Sequence, residues 1–225
     1  MSDGPVASDE ILEGVYRALC THGYAELTMQ DIATECEKST SLLHYHYDTK
    51  EELLIAFLDD IITDYERRIP DETDQSPERR LVTFLARFVI APEDDERKSF
   101  HLALLEMRSQ GPFNERIREQ LARSDDLIRG TAATILRDGI EAGVFEPVDV
   151  ERTAALLVAA LDGARTRQIT LGEAQPTETY TRVVVEELLV RVVEPLLADG
   201  VTLPSLESVL ADLETTEHGV EVEQS

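Results

Sequence analysis

The side chains of this 225-residue chain best suited to recognition chemistry crowd into one short stretch. Helical spacing puts Thr40, Ser41, Leu42, His44, Tyr45 and His46 on the outward face of a short helix. Their hydroxyls, imidazoles and phenol can hydrogen-bond base edges and phosphates, and Leu42 can touch a thymine methyl. Thr28 and Ser39 stand at the starts of two successive short helices and complete the candidate DNA-contacting set together with Lys50. At the head of the following helix, the Lys50 ammonium and unpaired backbone N–H groups would face a phosphate together. Catalytic arrangements are weaker. His44 and His46 point about 200° apart on a helix and cannot share a metal. Asp59-Asp60 with Asp64 has the acid pairing that holds a diphosphate through magnesium, but a convincing second aspartate motif is missing, and a solvated acidic helix face explains it better. No Ser-His-Asp set, Gly-rich phosphate loop or zinc spacing occurs, so neither enzyme, cofactor nor metal is expected.

The elements that must position these residues are helical, because the apolar spacing follows the helical period almost throughout and no run alternates with period two. Ser8 or Asp9 can cap a first helix with the stripe Ile11, Leu12, Val15 and Leu19, stopped at His22-Gly23-Tyr24. Thr28 caps a short helix, Met29 to Cys36. Ser39 or Thr40 opens another through Tyr47, across the polar turn Glu37-Lys38-Ser39. Ile32, the small Ala33 and Leu43 would bury this pair, giving a helix-turn-helix layout. Asp48 or Thr49 then opens a long helix carrying Leu53, Leu54, Phe57, Leu58, Ile61, Ile62 and Tyr65. After a polar loop, Asp71 to Pro77, further helices are expected at 77–90, 97–110, 112–142, 149–171 and 177–198, with a shorter one at 203–213. An acidic segment from Glu214 is expected to be disordered. The predicted class is all-α: a DNA-binding domain at 1–50, a connecting helix at 50–69, a second domain at 70–200 and an acidic tail at 201–225.

The charge bounds the partner. With 21 Lys plus Arg against 46 Asp plus Glu the net charge is -25, which excludes nucleic-acid binding by bulk positive charge. Lys38, Lys50 and Lys98 are the only lysines, and every other cation is arginine. An acidic surface that spares lysine is what a cytoplasm of molar potassium salt favours, since salt screens the carboxylates within a few ångströms. Cys20 and Cys36 suit buried positions in a reducing compartment. With no long apolar stretch and no basic, apolar start, the expected location is the cytoplasm, without a membrane partner.

Gly23-Tyr24, Thr28-Met29, Asp31-Ile32-Ala33, Ser39, Leu43, Tyr45-His46-Tyr47 and Lys50-Glu51-Glu52-Leu53-Leu54 together resemble the N-terminal signature of the tetracycline-repressor (TetR) family. Leu161-Asp162-Gly163 in a late helix resembles its betaine-regulator-like (BetI) branch. The resemblance implies a dimeric one-component repressor that binds a palindromic operator and releases it when a small molecule occupies a helical C-terminal domain. This chain has Glu37-Lys38 where the family has Gly-Val, Ser41-Leu42 where it has Gly-Thr, and His44 at a common Tyr. Residues 1–50 set three cations against nine acids, a net of -6, where an ordinary DNA reader is positive. The resemblance implies an effector pocket in the middle helices, with Phe84, Phe88, Phe100, Leu104, Met107, Phe113 and Ile117 as candidate lining for an apolar ligand. Ala155, Val158, Leu161, Val184, Leu188 and Val192 would meet a second copy in an intersubunit four-helix bundle. A ligand-binding or adaptor dimer without operator binding is the alternative reading, and a helical enzyme the third.

Overall fold

The computed structural model describes the backbone of residues 5–68, 74–91, 94–171 and 180–222, and no strand occurs among them. Ten α-helices follow one another in these residues: α1 (Pro5–Glu26), α2 (Met29–Glu35), α3 (Thr40–His46), α4 (Lys50–Arg68), α5 (Pro77–Ala86), α6 (Asp95–Gln110), α7 (Glu115–Glu141), α8 (Val150–Leu171), α9 (Tyr180–Leu188) and α10 (Leu206–Val222). None of the described helices is long and apolar enough to cross a membrane. The chain divides into two compact units, Met1–Arg68 with Glu93–Leu127, and Ile69–Pro92 with Ile128–Ser225.

In the first unit the stripe Ile11, Leu12, Val15 and Leu19 of α1 is buried against Leu27, Ile32, Ala33, Leu43 and the α4 residues Leu53, Leu54, Phe57 and Leu58. Each such side chain contributes roughly 1.5–3 kcal/mol on full burial. Ile32, Ala33 and Leu43 bury the short helix pair as their spacing predicts. The close approach is also made by Gly14: a Cβ there would sit 2.5 Å from the Cys36 Cβ. Gly23, at φ +68°, interrupts α1 at the expected stop, and helical turns resume to Glu26. α6 packs along α1, with Ala103 and Met107 buried in this same core and Phe100 stacked between Tyr16 (4.7 Å) and Phe57 (6.1 Å). By contact the first unit also takes in α6 and the first part of α7, which the expected division at residue 70 assigned to the second domain. The apolar face of α6 is completed by α1 and α4, because an amphipathic stripe does not specify which core receives it.

The second unit gathers α5, the later part of α7, α8, α9 and α10 around Leu81, Phe84, Leu85, Leu136, Leu157, Leu161 and Val185. The Arg80 guanidinium lies 2.7 Å from the Asp138 carboxylate. The Phe145 ring fills the space over Gly139, where a Cβ would be 2.1 Å from it. Gln168 closes a buried polar ring: its amide donates to the Ile90 carbonyl (2.8 Å), its oxygen accepts from the Thr181 N–H and hydroxyl, and Ile90 N–H donates to that hydroxyl (3.1 Å).

Several sequence expectations change here. The helix from Pro77 stops at Ala86 rather than Ile90, and α7 starts at Glu115, where Asn114 accepts from the Ile117 N–H, rather than at Pro112. The single helix expected over 177–198 is α9 followed by a π-turn, Leu189–Val193, and a 3₁₀ turn, Glu194–Leu196. Pro195 has no N–H to continue the α-ladder, and the wider turn, with Glu194 N–H donating to Leu189, absorbs the mismatch. Residues 177–179, and 71–73 of the expected loop, lie outside the described residues. α10 continues to Val222 instead of stopping at Leu213 with a disordered segment after it: Leu206 and Val209 are in the core, and Asp212 bonds Arg79 at 2.5 Å. Residues 201–222 are thus not a tail apart from the domain. Val158, Leu161 and Leu188, expected between subunits, are enclosed in their own unit's core, and Val184 and Val192 are half-buried against it. α8 is apolar around most of its circumference, and its exposed side carries Ala155, Leu156, Ala159 and Gly163.

Candidate nucleic-acid interface

Local caps fix the two short helices. Thr28 and Asp31 form a reciprocal capping box: the Thr28 N–H and hydroxyl donate to the Asp31 carboxylate at 2.9 and 2.6 Å, and the Asp31 N–H donates back to the hydroxyl at 3.2 Å. Those bonds hold the Asp31 carboxyl below its ordinary range, the Thr28 hydroxyl being the largest cause. Ser39 accepts from Leu42 N–H and starts α3. Between them Glu37 adopts φ +53°, the left-handed conformation that favours glycine. Lys38 N–H reaches the Ala33 carbonyl at 3.0 Å and Glu37 N–H that of Thr34 at 3.2 Å, the two bonds of a Schellman turn. Glu37 therefore occupies the position where the family pattern has glycine, and accepts the backbone cost.

The candidate contact residues separate into three groups, with Lys50 apart from them. Ser41, His44 and Tyr45 are exposed on α3, with Tyr45 81% exposed and stacked edge-on against His46. Thr28, Ser39 and Thr40 are structural: the first two are caps, and the Thr40 hydroxyl donates to Gln30 Oε1 at 2.8 Å, tying α3 to α2. Leu42 and His46 are half-buried, and His46 Nε2 is shielded from solvent. Lys50 differs from its expected role. Its ammonium donates to the carbonyls of Tyr24 (3.0 Å) and Leu27 (2.7 Å) and lies 5.0 Å from the centre of the Tyr24 ring. Burial pushes its pKa below the ordinary lysine value. It is a tie inside the head before it is a phosphate contact.

The other two cations of residues 1–50 are also engaged. Lys38 pairs with Glu10 at 2.5 Å, and Arg17 reaches Glu13, Glu35 and the Glu35 carbonyl. Sequence reasoning missed Gln30, Glu10 and Glu106 as partners, since each acts across a long or unpatterned separation. Glu106 accepts from the N–H groups of Tyr24 and Ala25 at 2.7 and 3.2 Å.

The candidate effector residues do not form one cluster. The rings of Phe84 and Phe88 meet at 5.5 Å, tilted, in the second unit, where the Arg165 guanidinium lies 4.5 Å over the Phe88 ring. Phe100, Leu104 and Met107 pack in the first unit's core, Ile117 is buried, and Phe113 is 87% exposed. The register of α6 turns its apolar residues toward α1.

Comparisons with known proteins agree with this architecture. The model of bacterial regulatory proteins of the tetR family matches residues 11–57, and that of the C-terminal part of BetI-type transcriptional repressors matches residues 77–194. A TetR transcription regulator from the halophile Haloarcula marismortui is 37% identical, with 84% of this chain and 97% of that chain covered and a TM-score of 0.73. A candidate transcriptional regulator from Saccharomonospora viridis, solved in complex with choline, is 24% identical, with 83% and 96% covered and a TM-score of 0.71. A candidate TetR-family regulator from a Rhodococcus species is 25% identical, with 81% and 96% covered and a TM-score of 0.66. No curated protein matches the chain. A BetI-type match over more than half its length and a 37% identical relative spanning most of it establish that the chain belongs to the TetR family of transcriptional regulators.

Proposed function

We propose that this regulator is a dimeric repressor that reads a palindromic operator through Ser41, His44 and Tyr45, and releases it when a small apolar molecule binds the C-terminal unit. The observation that carries the reading is the two-sidedness of α3: Leu43 is fully buried, while Ser41, His44 and Tyr45 face solvent with their hydrogen-bonding groups. Those groups suit base edges, with Leu42 available to a thymine methyl. Among the effector candidates, the buried and mutually tilted Phe84 and Phe88 supply aromatic side chains to the second unit's core. The choline complex of the Saccharomonospora relative and a stearoyl-CoA complex of a 17% identical Bacillus subtilis regulator illustrate ligands of this fold. The exposed face of α8, Ala155, Leu156, Ala159 and Gly163, supports pairing with a second copy better than the enclosed Val158 and Leu161 do.

Selection of bound duplexes from a random library in molar KCl tests the reading. A palindromic consensus is expected. His44→Ala should relax preference at individual positions by about 1–3 kcal/mol, since base contacts specify. Equal retention of specific and random duplexes by the wild-type chain rejects operator reading.

A further inference from the structure

The strap Gly23–Leu27, between the interruption of α1 and the cap of α2, is gripped from two helices. Breaking α1 at Gly23 deprives the next N–H groups of helical acceptors. The Glu106 carboxylate, from α6, supplies one for both Tyr24 and Ala25. The opposite side of the same residue is held as well: the Tyr24 carbonyl accepts from Lys50 at the head of α4, which also binds the Leu27 carbonyl. Gly23 serves this arrangement twice. Its φ of +68° is strained for other residues, and a Cβ there would stand 3.1 Å from Glu106 Oε2.

We propose that Glu106 is a positioning residue for DNA reading: its carboxylate clamps the strap that, through Tyr24 and Lys50, sets α2 and α4 relative to α6. The proposal rests on the operator-reading function above. Leu27 is buried and immediately precedes the Thr28 cap, so a displaced strap moves the start of α2, and α2 holds α3 through the bond from Thr40 to Gln30. A charged acceptor is the stronger kind of partner for two N–H groups. Any shift of α6 along α1 therefore pulls on the backbone that aims the reading helix.

The test compares Glu106→Ala and Glu106→Gln with the wild-type chain in molar KCl, by amide exchange and by affinity for the duplex that the wild type enriches, set against random duplex. In Glu106→Ala, exchange at Tyr24 and Ala25 is expected to rise roughly 10- to 100-fold, as loss of a hydrogen bond to a charged group implies. Amides in the α8 core should hold their rates while the ratio of specific to random affinity falls by about tenfold. Glu106→Gln keeps an acceptor oxygen and should recover much of that ratio. An unchanged ratio in Glu106→Ala overturns the proposal, as does a fall matched by faster exchange throughout the chain. Should the alanine variant not fold, Glu106→Gln decides instead: faster exchange at Tyr24 and Ala25 beside wild-type discrimination overturns the proposal equally. A wild-type chain that enriches no duplex defeats the operator reading itself, before any variant is made.

Discussion

Operator affinity is expected to depend only weakly on salt, and the magnitude follows from where the cations are. A conventional reader with three phosphate-bound cations per protomer would show, as a dimer, a slope of log K against log salt of about -5. Here Lys38 lies 2.5 Å from Glu10, Arg17 reaches Glu13 and Glu35, and Lys50 is bound to two carbonyls. A cation that leaves a carboxylate for a phosphate releases one counterion from DNA while the freed carboxylate takes one up. The exchange nearly cancels, so the slope should be no steeper than about -2, with cation uptake at the exposed Glu37 and Asp48 moving it toward positive values. Glu10→Gln frees Lys38 and should steepen the slope by about 1 per protomer while tightening binding at low salt. Neutralising Glu37 and Asp48 should shift it in the same direction. Fluorescence anisotropy of the selected duplex from low to molar KCl, with circular dichroism confirming the fold at each point, measures both. A wild-type slope near -5 with the folded dimer losing DNA below molar salt would falsify the reasoning, and an unchanged slope in Glu10→Gln would show that Lys38 plays no part.

Other consequences are more local. Glu37→Gly relieves a left-handed residue and should raise stability by about 1 kcal/mol, read as a higher melting temperature; no increase argues against strain at that turn. Gln168→Leu leaves the Thr181 N–H, the donor side of its hydroxyl and the Ile90 carbonyl without their Gln168 partner, and should cost roughly 3 kcal/mol in urea unfolding, whereas a near-neutral result would mean that water replaces the amide. The bonds from Thr28 hold the Asp31 carboxyl below its ordinary range in the folded state, so its contribution is present at and above that ordinary range and is lost as pH falls through the lower folded pKa. Asp31→Asn should therefore flatten the acid limb of melting temperature against pH, and an unaltered limb would locate acid sensitivity elsewhere.

The local parts of this fold are legible in the sequence because they depend on neighbours. Thr28, Ser39 and Asp149 announce helix starts, Gly23 announces a stop, and Ile32, Ala33 and Leu43 mark the inner side of the helix pair. Residues whose roles depend on distant partners are not legible. Lys50 has the type and position of a phosphate contact, and only the carbonyls of Tyr24 and Leu27, more than twenty residues away in the chain, turn it inward. α8 carries apolar residues on several faces, so sequence periodicity could not decide that Val158 goes inside while Leu156 stays outside. The acidic end from Glu214 lacks a core stripe of its own; Leu206 and Val209, buried ahead of it, nucleate a helix that then propagates at low cost.

The same distinction bears on how an acidic protein can read DNA. At molar salt the screening length falls to about 3 Å, so charges act through contact and hardly at a distance. The cations follow that rule: Arg79 meets Asp212 at 2.5 Å, Arg80 meets Asp138 at 2.7 Å, and Arg182 bridges Glu186 and Glu207 at 2.9 and 2.6 Å. Arginine's planar fork can hold two acceptors at once, as Arg182 does, which gives it an advantage over lysine where only contact pairs survive. Cations committed in this way have little left to offer phosphates. What remains exposed on α3 is a hydroxyl, an imidazole and a phenol, groups whose hydrogen bonds are short-ranged and little affected by salt. Discrimination between base pairs, which depends on such groups, can therefore survive conditions that remove the long-range attraction used by basic readers.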